Sequence, residues 1–220
     1  MFRRNWAWCV LAAMLAGGVA ECRAQLAPRK ADEWVTTLEG PRRVASMKMD
    51  EVLARLNLKP GMVVADIGAG SGLFSRALAK AVAPAGKVYA VDIQQDLLDY
   101  INKRDKEENI PNIQTVLGAF EDPKLPARNV DVALINDVLH HIEKRAAYLK
   151  ALGTYMKPSG RIAIIEMDKN DPNTPHRNQP ELLVGREEML AWMSDAGFKL
   201  VDEHADLFPG TKWFLVFGRK

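Results

Sequence analysis

The sequence predicts an α/β fold in which a doubly wound, mostly parallel, seven-stranded sheet carries helices on both faces and finishes in a C-terminal antiparallel hairpin. Short apolar runs rich in β-branched residues alternate with longer segments of helical periodicity, a pattern typical of βαβ units in a parallel sheet. The last two apolar runs are instead joined across Pro209 and Gly210 without an intervening helix. A turn of that composition favours a hairpin.

The predicted elements follow one another in a regular order. An apolar face that includes Val44, Val52 and Leu56 predicts one long helix, which ends at Pro60-Gly61. The predicted helices span residues 31–40, 44–58, 72–83, 94–109, 143–157 and 186–196, and the predicted strands span residues 62–67, 87–92, 113–117, 130–136, 161–167, 198–205 and 213–217. We therefore expect an N-terminal helical cap at residues 25–60 and a sheet-containing domain at residues 61–220.

The first 24 residues are predicted to be a signal peptide. Arg3 and Arg4 precede an uncharged stretch at residues 6–20, and small residues stand one and three positions before Gln25. The stretch is short for a membrane-spanning helix, and a buried N-terminal helix is the alternative interpretation. The sequence thus predicts export, to the periplasm or the medium, and a cytoplasmic location if the leader is not used.

Charge and cysteine content limit the classes of partner and of metal site expected for residues 25–220. The chain has 30 basic and 28 acidic residues, and removal of residues 1–24 leaves 27 of each. Such a neutral domain lacks the basic character expected of a nucleic-acid-binding protein. Both cysteines, Cys9 and Cys22, belong to the leader, so no disulfide or thiolate metal site is expected beyond it. No later segment is long and apolar enough to span a membrane, and the sequence does not indicate an oligomeric state.

A glycine-rich turn follows the first predicted strand. Residues 63–72 read VVADIGAGSG, so Gly68, Gly70 and Gly72 directly precede a predicted helix. Glycines let the backbone approach a ligand closely, and a helix N-terminus favours nearby negative charge. The dinucleotide-binding pattern requires a small residue where this chain has Leu73, which disfavours an NAD-dependent oxidoreductase. Asp66 ends the strand, where a carboxylate suits a cationic group such as an ammonium or a sulfonium. The alternative is a structural turn with a capping aspartate.

A second acidic residue, Asp92, ends the next predicted strand. Its distance from the glycines places a carboxylate where it can accept hydrogen bonds from both hydroxyl groups of a ribose. Ile93 follows and is suited to one face of a base. Taken alone, Asp92 is equally explained as the N-cap of the next helix, but Asp66 and the glycines favour the ribose interpretation.

With these motifs, residues 44–220 resemble the class I, seven-stranded, Rossmann-like S-adenosylmethionine-dependent methyltransferases. The resemblance implies S-adenosyl-L-methionine as cofactor, an amino-group contact at Asp66, glycines beneath the cofactor and a ribose contact at Asp92. Residues 117–126 (LGAFEDPKLP) resemble the adenine-binding stretch but have Ala119 where many relatives have aspartate. Adenine contacts are therefore expected from backbone around Phe120 or from Glu121. Residues 130–141 (VDVALINDVLHH) resemble the fourth-strand motif, which places Asn136 at the cofactor.

Two histidines, His140 and His141, follow the fourth predicted strand. They are candidate catalytic bases because imidazole titrates near neutral pH and the carboxyl ends of strands face the ligand crevice; capping or packing in the turn is the alternative. The side-chain oxygens of Asn136, Asp137, Glu166 and Asp168 are of the type that binds magnesium. The spacing of these residues differs from that of metal-dependent O-methyltransferases. We therefore predict no metal site, and we expect His176 and His204 to be solvated.

The function predicted from these features is methyl transfer by in-line displacement to a small-molecule acceptor. The polar segment at residues 169–184 is expected to form a lid. Trp34, Trp192 and Phe208 either line the acceptor pocket or belong to the core. The alternative function is an exported module that binds an S-adenosyl ligand without turnover, because S-adenosylmethionine is made in the cytosol. The sequence does not identify the acceptor, nor which of the two histidines acts as base.

Overall fold

A computed structural model of the protein describes residues 30–220. The predicted signal peptide at residues 1–24 lies outside the described residues. The described chain begins with three short helices that precede the first strand: α1 (Ala31–Leu38), α2 (Pro41–Ser46) and α3 (Met49–Leu56).

The centre of the molecule is a seven-stranded sheet, as predicted. Its strands are β1 (Val63–Ile67), β2 (Lys87–Asp92), β3 (Ile113–Leu117), β4 (Val130–Asn136), β5 (Met156–Met167), β6 (Phe198–Glu203) and β7 (Lys212–Arg219). They are arranged in the order β3-β2-β1-β4-β5-β7-β6. The first five strands are parallel, and β7 is antiparallel to both β5 and β6. The register pairs Glu166 with Trp213 and Met167 with Lys212.

The remaining helices connect the strands. They are α4 (Leu73–Val82), α5 (Gln95–Glu107), α6 (Arg145–Gly153) and α7 (Arg186–Asp195), together with short 3₁₀ turns at Leu139–His141 and Pro180–Leu182. Successive side chains of the central strands, such as β1, β4 and β5, alternate between two apolar clusters. Ala65, Ala133 and Ile164 pack with α6 and α7, whereas Val64 and Leu134 pack with α3 and α4. Because neighbouring side chains of a strand point to opposite faces, this alternation places helices on both faces and confirms the predicted fold class.

Several element boundaries differ from the prediction: the helix predicted at residues 143–157 is Arg145–Gly153, and the strand predicted at residues 198–205 is Phe198–Glu203. Two differences are larger. The helix predicted at residues 44–58 is broken into α2 and α3, because Lys48 adopts a left-handed conformation with φ of 47°, which a right-handed helix does not accommodate. The Lys48 Nζ donates to the Leu207 carbonyl at 2.7 Å, which anchors the break. β5 is longer than the predicted segment 161–167, since Met156 already pairs with Val130 before an irregularity in the register.

None of the helices within residues 30–220 has the length and apolar character needed to cross a membrane.

Candidate active site

A cavity of about 660 Å³ lies at the carboxyl ends of β1, β2 and β4. Its size is in the range of small-molecule and cofactor sites, and its position is where open α/β sheets bind ligands. Trp34 and Leu38 of α1 line one side, and His176 of the segment after β5 lines another. Two segments that are far apart in the chain, α1 and the segment after β5, therefore border the crevice that the strand ends create.

The glycine turn after β1 forms the floor of this cavity. Gly68 and Gly70 both line it and have positive φ values of 70° and 56°. A Cβ atom at Gly68 would lie 2.3 Å from a methyl group of Val138, and one at Gly70 would lie 3.1 Å from Leu38. The turn therefore requires glycine both for its backbone conformation and for the space above it.

Asp66 lies at the inner end of the glycine turn and is 3% exposed. Its carboxylate accepts a hydrogen bond of 2.6 Å from the Ser75 hydroxyl. Burial raises the pKa of Asp66 to about 6, the Ser75 hydrogen bond opposes that rise, and Asp92 adds to it. Asp66 lines a small recess of about 40 Å³ that shares Gly68, Gly70 and Asn136 with the large cavity.

Asp92 connects the glycine turn to the end of β2. One carboxylate oxygen accepts from the Gly70 N–H at 2.9 Å and the other accepts from the Gln94 N–H at 3.0 Å. Burial raises the pKa of Asp92 above its ordinary value, whereas these hydrogen bonds lower it. Asp92 lines the cavity, so its carboxylate both fixes the turn and faces the ligand space.

The other predicted cofactor residues divide into two groups. Ile93 and Phe120 line the cavity with 46% and 54% of their surface exposed, and Asn136 lines it from β4. Gly72 and Glu121 are not among its lining residues. A Cβ atom at Gly72 would lie 2.8 Å from Ile101 of α5, which explains the glycine by helix packing. The Glu121 carboxylate pairs with the Lys144 ammonium at 2.6 Å.

His140 is held by a buried carboxylate at the edge of the cavity. The Nδ1–H of His140 donates to Glu166 at 2.7 Å, and its backbone N–H donates to the other oxygen of the same carboxylate at 3.1 Å. Glu166 is fully buried and His140 is 3% exposed. This pairing leaves Nε2 as the nitrogen of His140 that is available to a ligand.

The sequence predicts a solvated His176, and in the structure its side chain is partly exposed but lies beside His140 and His141. Its ring centroid lies 5.0 Å from that of His140 and 6.0 Å from that of His141, and all three rings line the cavity. Burial lowers the pKa of His141 to about 3, with smaller contributions in the same direction from His140 and His176. His204 also differs from its prediction, because its side chain is 15% exposed and its ring packs on Phe214.

Sequence reasoning missed an ion pair in the same cavity. Lys212 of β7 donates to Asp137 at 2.6 Å, and the Arg43 guanidinium lies 3.9 Å from the same oxygen. All three residues line the cavity. Asp137 has a positive φ of 54°, a strained conformation that often marks functional sites. Because 75 positions separate Lys212 from Asp137, no local pattern in the sequence indicates the pair.

Three of the carboxylates that could bind magnesium, those of Glu166, Asp137 and Asp168, have separate hydrogen-bond partners in the structure. Glu166 accepts from His140, Asp137 accepts from Lys212, and Asp168 accepts from the Asn170 backbone N–H at 2.8 Å. Of the three aromatic candidates for the acceptor pocket, Trp34 lines the cavity. The other two, Trp192 and Phe208, pack in or against the apolar clusters.

Comparison with protein families identifies the fold at sequence level. A family described as a methyltransferase domain matches residues 58–203, which is well over half of the chain. The chain belongs to this methyltransferase-domain family. The match includes the glycine turn, Asp66, Asp92 and all three histidines of the cavity.

Individual relatives agree with this assignment. The chain is 31% identical over 117 residues to a ubiquinone/menaquinone biosynthesis C-methyltransferase of Burkholderia vietnamiensis, an overlap of 53% of this chain and 48% of the relative. Across the curated relatives it matches, the chain spans about half of their length.

Solved structures show the same fold. A SAM-dependent methyltransferase from Aquifex aeolicus superposes with a TM-score of 0.75 at 24% identity, covering 86% of this chain and 98% of the other. The [4+2]-cyclase SpnF superposes with a TM-score of 0.67 at 16% identity, covering 80% of each chain. At these identities the likeness concerns the fold alone.

S-adenosyl-L-methionine is the cofactor that the methyltransferase family implies, and the residues of this chain fit it. The glycine turn is a cradle in which any Cβ atom would occupy ligand or packing space. Two buried carboxylates, Asp66 and Asp92, stand at its ends, and the exposed apolar side chains of Ile93 and Phe120 offer faces for a base. The cavity is also large enough for a nucleoside with an acceptor beside it.

Proposed function

We propose that the protein catalyses S-adenosylmethionine-dependent methyl transfer, by in-line displacement, to a small-molecule acceptor. One observation carries this proposal: a single cavity is lined by the glycine turn and Asp92 and also by His140 and His141. A cofactor site and a candidate base thus share one cavity. Alignment of two reactants in such a space is the main contribution that a protein makes to this reaction.

The cofactor end supplies binding and orientation. Asp66, when ionised, attracts the ammonium of the cofactor's methionine part, and Asp92 accepts from the ribose hydroxyl groups. The Ile93 and Phe120 side chains contact the faces of the adenine, and Asn136 borders the cofactor from β4. Bound S-adenosylmethionine supplies a methyl group on a positively charged sulfur, which is already activated for transfer.

The acceptor end supplies a place for a proton. His140 and His141 border the cavity, and either ring accepts a proton from an acceptor oxygen, nitrogen or carbon that must be deprotonated. Glu166 orients the ring of His140, because its buried carboxylate accepts from Nδ1–H and leaves Nε2 available. The low pKa of His141 keeps that ring neutral at pH 7 and makes it a weaker proton acceptor than an ordinary imidazole.

The acceptor proposed here is a small molecule with an apolar, ring-like part. Trp34 and Tyr148 border the cavity and offer aromatic surface, and its volume of about 660 Å³ is that of a small-molecule site. The name of the Burkholderia relative describes C-methylation in quinone biosynthesis. Quinol-like compounds are therefore the first acceptors to test.

The location proposed for the mature protein is outside the cytoplasm. The arginine pair, the apolar stretch and the small residues before Gln25 support this proposal. An exported binding module without turnover is the second candidate function, since the cofactor is made in the cytosol and the fold also occurs in a [4+2]-cyclase.

The first experiment measures cofactor binding by isothermal titration calorimetry with S-adenosylhomocysteine. We expect the wild type to bind. We expect the affinities of Asp92→Asn and Asp66→Asn to be lower by a factor of about ten or more, because each substitution removes a charged hydrogen-bond acceptor. Asp99→Asn is the matched control, since Asp99 lies on α5 and accepts from Gln95 at the surface. Equal affinities in all four proteins would contradict the proposed cofactor site.

The second experiment separates the enzyme from the binding module. Purified protein is incubated with S-adenosylmethionine and a set of quinols, phenols and thiols, and S-adenosylhomocysteine formation is measured by mass spectrometry. Formation that depends on one acceptor and decreases in His140→Gln or His141→Gln supports the enzyme. Tight cofactor binding without turnover on any acceptor class would favour the binding module.

A further inference from the structure

We propose that His140, His141 and His176 form a binding site for one divalent transition-metal ion, with zinc as the representative ion, at the acceptor end of the cavity. One ligand atom from each of the three residues lies within 4.8 Å of the other two. The three rings come from two separate segments, the turn after β4 and the segment after β5, and they converge on one point that borders the cavity.

The spacing of the three nitrogens is close to what an ion requires. Zinc binds histidine nitrogens at about 2.0–2.1 Å in tetrahedral geometry, which separates pairs of ligand nitrogens by about 3.4 Å. Small side-chain rotations therefore bring the rings from their present spacing to a coordinating one. Three histidines with a fourth position left to water or substrate is the ligand arrangement of catalytic rather than structural zinc sites.

Hydrogen bonds behind the rings orient two of them for metal binding. Glu166 accepts from the Nδ1–H of His140, and the Gln179 side chain is 3.2 Å from Nδ1 of His176. Both contacts leave Nε2 available. A carboxylate behind a histidine ligand is the usual outer shell of a zinc site, where it fixes the tautomer and makes the ring a better donor. This pairing explains why a fully buried glutamate, Glu166, stands beneath a cavity.

The two segments that carry the rings are tied together. Arg145 donates to the Leu139 and His140 carbonyls in the turn and to the Glu181 carbonyl in the segment after β5. Within that segment the Gln179 N–H donates to the His176 carbonyl at 2.8 Å. His176 is thus held near the pair His140-His141 by backbone contacts that do not depend on the rings themselves. Such support is expected of a prearranged ligand set.

The donor set selects the class of ion. Imidazole nitrogens suit zinc, copper, iron and nickel, whereas magnesium and calcium prefer oxygen ligands. The site is therefore distinct from the oxygen-based magnesium site that the sequence suggested as an alternative. With an ion bound, His140 and His141 would be ligands and no longer candidate bases. The ion would then assist deprotonation of the acceptor, because it would lower the pKa of an acceptor group at the open position. This role rests on the proposed function, whereas the site itself does not.

The test measures metal binding directly, on full-length protein without a histidine tag and stripped with a chelator. We expect one equivalent of zinc in calorimetry, one equivalent of cobalt with a tetrahedral visible spectrum, and no response to magnesium. His176→Ala and His141→Ala are expected to weaken zinc binding at least about a hundredfold, and Glu166→Gln about tenfold to a hundredfold, because it loses only the outer-shell partner. The control, His204→Gln, leaves zinc affinity unchanged.

Each outcome decides the proposal. Cys9 and Cys22 remain in every variant, so zinc that binds elsewhere stays bound in His176→Ala. Binding of zinc with equal affinity by the wild type and His176→Ala, or no stoichiometric binding by the wild type, would overturn the site. Thermal unfolding of the metal-free proteins checks that the variants fold. S-adenosylhomocysteine affinity is measured with and without chelator. Absence of this binding contradicts the cofactor site and leaves the metal site untouched, so the two proposals are tested separately.

Discussion

The two ends of the cavity are built in different ways. Most of the proposed cofactor end comes from one continuous stretch, residues 63–93, in which two parallel strands and the segments that follow them place Asp66, Gly68, Gly70 and Asp92. Phe120 and Asn136 are added from later segments. The acceptor end combines residues that are far apart in the chain: Trp34, the His140-His141 pair, His176 and Lys212. The first end depends on backbone conformation and the second on contacts between distant segments.

This difference explains how substitutions should act on each end. At the cofactor end the ligand space is fixed by glycine φ angles and by carboxylates bonded to backbone N–H groups. At the acceptor end it is fixed by side chains such as Arg145 and Glu166. Substitutions at the cofactor end should therefore destabilise the whole domain, whereas those at the acceptor end should loosen one segment.

The largest effect is expected for Gly68→Ala. The substitution places a methyl group 2.3 Å from Val138 and forces alanine into a φ of 70°. Left-handed backbone costs about 1–2 kcal/mol and overpacking about 1–3 kcal/mol, so we expect a loss of about 3–4 kcal/mol in the free energy of unfolding, measured with urea. Gly61→Ala is the matched control, because its φ is 88° with no atom within 4 Å of the added Cβ. An equal loss in both variants would show that Val138 does not restrict the turn.

A smaller effect is expected from the ionisation of Asp66. Its pKa is raised to about 6 in the folded protein, so the wild type binds this proton more tightly when folded and loses stability as the pH rises from 4 to 7. Relative to the wild type, Asp66→Asn should gain up to about 3 kcal/mol over that range. Asp105, whose pKa burial also raises to about 6, is present in both proteins and cancels.

The measurement is urea unfolding of both proteins at several pH values without cofactor. A stability difference between the two that stays constant from pH 4 to 7 would contradict the raised pKa. The same ionisation predicts that S-adenosylhomocysteine binds the wild type more weakly below pH 6, since the neutral carboxyl group no longer attracts an ammonium.

The smallest effect on stability is expected at the acceptor end, for Arg145→Leu. The variant loses the contacts to the carbonyls of Leu139, His140 and Glu181, and we expect a loss of about 1–2 kcal/mol. Hydrogen exchange should become faster in peptides that cover residues 138–142 and 176–182. Exchange in the peptide that covers the glycine turn should not change.

Arg186→Leu is the control for this experiment, because Arg186 pairs with Glu203 away from the cavity. Faster exchange of the same peptides in both variants would mean that Arg145 has no particular role in joining the two segments.

The sequence predicted the sheet well, for physical reasons, whereas the cofactor contacts that it indicates stay a prediction. Parallel strands are buried on both faces and appear as continuous apolar runs, and a glycine turn with acidic strand ends is a local pattern. The strands β2, β3 and β4 have the predicted bounds. The sequence does not indicate the helix break at Lys48, because the apolar face continues across it. The break is stabilised by a hydrogen bond from Lys48 to the distant Leu207 carbonyl.

The cluster of three histidines can be predicted only in part from the sequence. The pair His140-His141 directly follows a predicted strand, whereas His176 lies in a polar segment whose course depends on turns and on Arg145. The pairing of Asp137 with Lys212 depends on the register of β5 with β7. Neither feature has a local sequence pattern, so only the folded chain shows them.

The antiparallel register of β7 has a consequence for how this protein can diverge. Met167 pairs with Lys212, so the lysine that contacts Asp137 is positioned by the hairpin formed by β6 and β7. A shift of one residue in this register would turn Lys212 to the opposite face of the sheet. Insertions or deletions in the loop at residues 204–211 that cause such a shift would therefore move Lys212 away from Asp137 and change the lining of the cavity without changing a histidine.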